Sequence, residues 1–313
     1  MLSVIVPATD SPATLERCVA ALREALPADA ELIVVEEAAA PGPAAARNAG
    51  ARRARGDVLV FVDADVAVHA DALARIEAAF AADPALGAVF GAYDESPAAP
   101  GAVSRFRNLL HHHIHAGAAG EAETFWAGLG AVRRSAWEAV GGFDERRFPQ
   151  SSVEDIELGM RLRERGTRIV LDPEIRGTHL KRWTLRGMVF TDFARRGLPW
   201  MRLQLERGRL AGSLNLSRRQ RLATGAAALA ALALCARRPR AALALVAASV
   251  AANLPFYAVL ARAGGPRLAL AGVPLHLLHH VTAAAAAGAA FAAHGAAGWR
   301  RARGERAGEE GQP

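Results

Sequence analysis

The chain has 313 residues, 52% of them apolar, and a net charge of +7, so it can bury one full-sized core and still have apolar length left over. Cys18 and Cys235 stand far apart, which implies neither a disulfide framework nor a thiolate metal site. The charge is uneven, with 13 arginines against 23 acids in residues 1–160 and 19 basic against 5 acidic residues in 161–240; no nucleic-acid module pattern accompanies the basic block, so no nucleic-acid partner is expected.

Leu2–Val6, Leu32–Val35 and Val58–Val62 are short apolar runs bounded by polar or Pro/Gly residues, with room for a helix between each pair. This is βαβ spacing. The first helix is expected to open at Ser11-Pro12, a cap followed by Pro, and to carry Leu15, Val19, Leu22 and Leu26 on one face. Ala44–Arg55 supplies the second. Met1 leads straight into the first apolar run with no basic segment before it, so no cleavable signal peptide is expected and the catalytic part is expected to stay in the cytoplasm. A helix around Asp71–Ala81, a strand around Ala88–Gly91 and a loop from Ser96 to Gly101 follow. Thr124–Val132 reads as a strand, and Trp137–Val140 as a short helix ended by Gly141-Gly142. Glu154–Arg165 is strongly helical, and Arg168–Leu171 and Ile175–Thr178 read as two short strands.

Leu185, Met188, Val189 and Phe193 fall on one helical face opposite Arg186, Asp192 and Arg195, the pattern of a helix lying on a membrane surface. Gly197-Leu198-Pro199 is expected to break it. Ala223–Ala236 has 14 uncharged residues, about 21 Å of helix, too short for a comfortable span. Ala241–Ala261 and Leu268–Trp299 contain no formally charged residue, and each is long enough to cross a hydrocarbon core of roughly 30 Å. Two spans are therefore expected, with a third left open. A hairpin of two would keep Arg237, Arg238 and Arg240 before it and Arg300, Arg301, Arg303 and Arg306 after it on the cytoplasmic side. The basic block ahead of these segments reads as attraction to an anionic membrane surface.

Asp63 and Asp65 stand one residue apart at the end of the apolar run Val58–Val62. A buried strand that delivers acids at its carboxyl end is where open α/β sheets bind ligands, and two hard oxygen ligands there suit Mg²⁺ or Mn²⁺ holding a diphosphate. Glu154 and Asp155 open a helix, where the dipole favours the ionised carboxylate. Arg182 can pair with phosphate, and Trp183 can stack on a sugar. His111 and His115 stand at i, i+4, but no carboxylate or thiolate is paired with them nearby, so an acceptor-side or interfacial helix is the simpler reading.

Six motifs stand in order: Ser3-Val4-Ile5-Val6-Pro7, Ala46-Arg47-Asn48-Ala49-Gly50, Asp63-Ala64-Asp65, Gly141-Gly142-Phe143-Asp144, Val153-Glu154-Asp155 and His179-x-x-Arg182-Trp183. Over roughly residues 1–205 the chain resembles the family 2 glycosyltransferases of GT-A fold, in particular the membrane-associated branch. The resemblance implies an α/β fold: a Rossmann-like GT-A catalytic domain with a mostly parallel sheet (residues 1–182), followed by interfacial helices and a basic linker (183–221), an all-α transmembrane region (222–300) and a polar tail (301–313). It also implies Asp65 on the metal, Asp63 on the ribose or the metal's water, and Asp155 as catalytic base with Glu154 its neighbour. Pro7, Glu36, Glu37, Arg47, Asp63 and Ala64 would hold the nucleotide.

Two departures leave the pattern open. The first position of the last motif is usually Gln in processive relatives, so His179 is either a third metal ligand or a diphosphate contact. Glu36-Glu37 replace the paired Asp common after the second strand, which leaves a UDP-sugar and a GDP-sugar both possible. Trp126 and Gly128 are expected to line the acceptor site. The expected activity is an inverting, metal-dependent transfer of a sugar from a nucleotide diphosphate sugar to a lipid or lipid-linked acceptor at the cytoplasmic face of the plasma membrane. A catalytically inactive sugar-nucleotide-binding scaffold and a sugar-phosphate nucleotidyltransferase are the alternatives. The second would be expected to carry a Gly-rich basic loop where this chain has Pro7-Ala8-Thr9-Asp10-Ser11-Pro12.

Overall fold

The computed structural model describes residues 1–10, 12–208 and 217–309, with side chains as far as 296. The expected Ser11 cap and the end of the polar tail lie outside these residues, as do the side chains of the arginines after Trp299. Strands β1 (Leu2–Pro7), β2 (Glu31–Val35) and β3 (Val58–Val62) and helices α1 (Leu15–Ala25) and α2 (Pro43–Arg53) build the βαβ start. The first helix begins at Leu15 rather than at Pro12, and the Thr14 hydroxyl donates to the Ala64 carbonyl (2.9 Å) instead of capping it. Cys18 and Leu22 form its buried face.

The elements that follow are β4 (Val66–Val68), α3 (Ala72–Ala82), β5 (Leu86–Tyr93), α4 (Ala102–Ala116), β6 (Gly120–Glu121), β7 (Leu129–Arg133), α5 (Arg134–Ala139), α6 (Glu154–Glu164) and β8 (Arg168–His179). The sheet runs β2-β1-β3-β7-β5-β8-β4, with β6 paired to β8. β1 pairs parallel with β2 and β3, and β5 parallel with β8, while β7 lies antiparallel between β3 and β5. Five strands therefore point the same way, and their carboxyl ends at Pro7, Val35, Val62, Tyr93 and His179 share one edge. The reversed β7 brings its amino end to that edge, since Val62 pairs with Leu129.

Two strand expectations change. The segment Thr124–Gly128 is loop, because the Ala127 amide donates to the Asp155 carboxylate (3.2 Å) rather than to a ladder. The two short strands after Arg168 are one, β8, whose register shifts opposite Phe90 and Ala92 beside Pro173.

The remaining residues are helical: α7 (Leu185–Phe190), a π-helical stretch Thr191–Gly197, α8 (Leu198–Glu206), α9 (Arg218–Cys235), α10 (Pro239–Ala252) and α11 (Leu254–Glu309). Gly197-Leu198-Pro199 does not break the helix. Pro199 falls in the first turn of α8, where a missing amide hydrogen costs little, and the wider π turn precedes it. The described residues divide into two compact units, one of 1–185 with 254–273, the other of 186–208, 217–253 and 274–309. Ala241–Ala261 is not one helix: α10 ends at Asn253, and Pro255 opens α11. The start of α11 instead packs on α4, with Phe256 fully buried 5.6 Å from Phe106 and the Arg105 guanidinium donating to the Ala263 carbonyl. Gly264 and Gly265 leave helical geometry, with φ of −148° and +74°. By length and composition Leu254–Ala296 can cross a membrane, and Pro239–Ala252 is apolar but short.

Candidate active site

β3 is fully buried, and beyond it the backbone of Asp63-Ala64-Asp65 is fastened from three sides. The Asp63 amide donates to the Gly128 carbonyl (3.0 Å), Thr14 to the Ala64 carbonyl, and the Leu180 amide to the Asp65 carbonyl (2.8 Å). Ala64 is buried and its carbonyl accepts from Thr14. Asp63 and Asp65 are left at the shared strand edge.

Arg47, on α2, is 4% exposed and joins two of the acids. Its Nη2 donates to Asp63 Oδ1 at 2.7 Å and its Nη1 to Glu154 Oε1 at 2.9 Å. A guanidinium shared by two carboxylates is a strong, directional clamp when buried. Glu154 is itself buried, and its second oxygen accepts from the Ser152 amide at 2.8 Å, so it is held rather than available. Asp155 is the next residue, in the first turn of α6. Its Oδ1 accepts from the Ile156 amide at 2.8 Å and its Oδ2 from the Ala127 amide at 3.2 Å. Consecutive residues Ala127 and Gly128 thus touch Asp155 and Asp63.

Asn48, beside Arg47, ties α2 to the Gly141–Asp144 motif by exchanging hydrogen bonds with the Phe143 backbone at 2.8 and 2.9 Å. Gly142 has a φ of +73°, and a Cβ there would stand 2.6 Å from Trp137 and 2.8 Å from Asn48 Oδ1. Only glycine fits that turn. Phe143 packs edge-on against Phe61 of β3 and beneath the Arg47 guanidinium.

At the end of β8, His179 Nε2 stands 3.4 Å from Asp65 Oδ2, and Lys181 Nζ is 3.9 Å from the same oxygen. Burial by itself would raise the Asp65 carboxyl, but the hydrogen bond and charge of His179 and the charge of Lys181 outweigh it and hold the group below the ordinary carboxylate range. The His179 ring is stacked on Tyr93 (4.2 Å, 10° between planes), and its Nδ1 donates to Asn108 Oδ1. Arg182 is exposed. The Trp183 ring lies between Lys181 and Arg107 at 4.8 and 5.5 Å, with its backbone held by Ser104.

Glu36 and Glu37 are exposed just beyond β2, at the same edge as the buried Pro7. Trp126 is 7% exposed and enclosed by Tyr93, His111 and His115, with ring centroids 4.6–5.2 Å away. It packs the wall of the site, with little of its surface exposed. Gly128 acts through its carbonyl, and a Cβ there would sit 2.4 Å from the Trp126 ring. His115 Nδ1 donates to the Gly91 carbonyl at 3.0 Å and His112 Nδ1 to the Tyr93 carbonyl at 2.7 Å, so these histidines brace α4 on β5.

Asn108, Tyr93 and Lys181 were not singled out from the sequence. Asn108 shares the spacing i, i+3/i+4, i+7 with His111, His112 and His115, and a polar stripe on the inner face of a helix was the available signal. Among the described residues no three His, Cys, Asp or Glu side chains form a closed metal site. Asp65 and His179 are the side chains that could hold a hard cation here, since a carboxylate oxygen and an imidazole nitrogen are suitable donors.

The sequence profile of glycosyl transferase family 21 matches residues 8–302. The chain belongs to that family. It is a glycosyltransferase of GT-A fold, as the six motifs led one to expect, although the resemblance read from them was to family 2. Among solved structures it is similar to the mannosyltransferase PcManGT from Pyrobaculum calidifontis in complex with GDP-Man and Mn²⁺, at 21% identity and a TM-score of 0.51 over 91% of this chain and 86% of that one. S. aureus TarS 1–349 in complex with UDP-GlcNAc aligns at 15% identity and a TM-score of 0.41, over 61% of this chain and 65% of that one. GalNAc-T7 with UDP, GalNAc and Mn²⁺ aligns at 15% and 0.45, over 66% and 47%. No curated protein matches the chain by sequence.

Proposed function

We propose that this glycosyltransferase moves a sugar from a nucleotide diphosphate sugar, with inversion and with Mg²⁺ or Mn²⁺, to a lipid or lipid-linked acceptor at the cytoplasmic face of the plasma membrane. The observation that carries the reading is the convergence at one strand edge of Asp63, Asp65 and Asp155, the first and last tied to neighbouring residues of one loop. Asp65 and His179 would hold the cation, which when bound neutralises the leaving diphosphate. Asp63, fixed by Arg47, faces the ribose side, and exposed Glu36 and Glu37 stand where the base would lie. Arg182 and Lys181 add positive charge for the diphosphate. Asp155 takes the proton from the acceptor hydroxyl as its oxygen bonds to the anomeric carbon and the bond to the diphosphate breaks. One base and no enzyme nucleophile suffice, which gives inversion.

Exposed leucines on α9 and α10, among them Leu222, Leu232 and Leu243, and the apolar length of α11 support a membrane location and hence a lipid acceptor. PcManGT was solved with GDP-Man and Mn²⁺, which makes that pair the first to try. The test is to incubate the full chain in detergent with UDP- and GDP-sugars, with and without lipid acceptors, and to measure nucleotide release. Acceptor-dependent release that disappears on chelation and in Asp65→Ala is expected. Release indifferent to both would reject the metal-dependent assignment.

A further inference from the structure

We propose that Asn108 is a positioning residue that selects the tautomer of His179, taking the Nδ1 proton on its amide oxygen so that the Nε2 lone pair faces Asp65 and a cation between them. The inference rests on the reading of His179 as a cation ligand.

A neutral imidazole carries one N–H, and the partner of one nitrogen decides what the other can do. Here Nδ1 meets the side-chain oxygen of Asn108, an acceptor, so Nδ1 carries the hydrogen. In the neutral ring that a cation would need, Nε2 is then a lone pair directed at Asp65 Oδ2, 3.4 Å away, and the cation takes the place of the Nε2 proton that bonds Asp65 in the ion pair. That is longer than the roughly 2.9–3.0 Å of an ordinary N–H···O bond. Two acceptors facing each other at this distance are unfavourable by themselves and favourable with a cation between.

Everything around the pair limits the alternatives. Asn108 is 1% exposed and His179 5%, so water does not replace the contact. Tyr93 lies flat against the imidazole and fixes its plane, leaving the tautomer as the remaining freedom. The buried Asn108 Nδ2 makes no hydrogen bond, a cost that the fold accepts while the oxygen is engaged. A turned amide would donate to Nδ1, move the ring hydrogen to Nε2 and aim it at Asp65, where it would compete with the cation.

The test measures Mn²⁺ binding by electron paramagnetic resonance on the full chain in detergent, for the wild type, Asn108→Ala, Asn108→Asp and His179→Ala. Loss of such an outer hydrogen bond lowers metal affinity by about 10–100-fold. Asn108→Ala should show that loss, and His179→Ala one at least as large. Asn108→Asp should bind like the wild type or more tightly, since a carboxylate accepts the same hydrogen and cannot donate. Unchanged affinity in Asn108→Ala beside a weakened His179→Ala would overturn the tautomer role alone. Asn108→Asp as weak as Asn108→Ala would reduce Asn108 to packing. Wild-type affinity in His179→Ala would remove the underlying ligand reading and this inference with it. Imidazole ¹⁵N shifts of the Mg²⁺-loaded wild type need no substitution: a neutral Nδ1–H ring at His179 is expected, and an Nε2–H ring would refute the proposal.

Discussion

At the residue scale the site separates acids that look alike in sequence. Glu154 and Asp155 are adjacent and open the same helix, yet Glu154 is buried on Arg47 while Asp155 accepts from the Ala127 and Ile156 backbone amides. In the proposed mechanism this carboxylate takes the proton of a substrate hydroxyl, which an amide at the same position cannot do. Asp155→Asn should therefore preserve donor binding while lowering turnover by roughly 10²–10⁴-fold, the range for losing a general base. Donor affinity by titration and single-turnover rates check this together. Near-normal turnover would move the base elsewhere.

At the element scale, the parallel strands that build the edge are held at their opposite end by Glu31. Its Oε1 accepts from Ser3 Oγ (2.6 Å) and from the Arg55 amide, and its Oε2 accepts from Arg55 Nε (3.1 Å). Burial slightly opposes ionisation, but these hydrogen bonds outweigh it and lower the carboxyl below its ordinary 4.5. A carboxyl lowered in the folded state contributes stability that is complete above 4.5 and lost as pH falls through the lowered value. Glu31→Gln should thus destabilise the fold at pH 7 by up to about 1.5–3 kcal/mol of hydrogen bonding to a charge, read as a lower Tm, and the gap from wild type should close as the pH drops below 4.5. A gap that persists at acid pH would mean packing, not charge, supplies the contact.

At the scale of the whole molecule, apolar length does not map simply onto membrane spans. Leu254–Val273 belongs to the compact unit of the catalytic strands, where Phe256 and Leu260 are fully buried. Leucines left exposed on α9, α10 and later in α11, such as Leu229, Leu234 and Leu270, are the surface that the proposed membrane location would cover. Membranes containing the full chain should keep it through washes with high salt and alkaline carbonate, which strip proteins held by charge alone. Release in carbonate would leave only surface attraction through the basic block.

Local chemistry made much of this protein readable in one dimension. Continuous apolar runs such as Val58–Val62 can only be buried strands, Asp63 and Asp65 follow directly, and Gly141-Gly142 must turn because L side chains avoid positive φ. These features are encoded within a few residues of one another. The pairing of Arg47 with Asp63 and Glu154 joins residues up to 107 apart in sequence, and its burial turned a helical arginine into the clamp of the site. Trp126 likewise reads as a contact face until Tyr93, His111 and His115 are packed around it. His179, at the end of strand β8, acquires its geometry from Asn108 on α4, and Phe256 its burial from Phe106 on the same helix as Asn108. Burial and partner choice across such separations depend on how distant segments pack. Hydrophobic periodicity records which residues are apolar and leaves open which surface covers them.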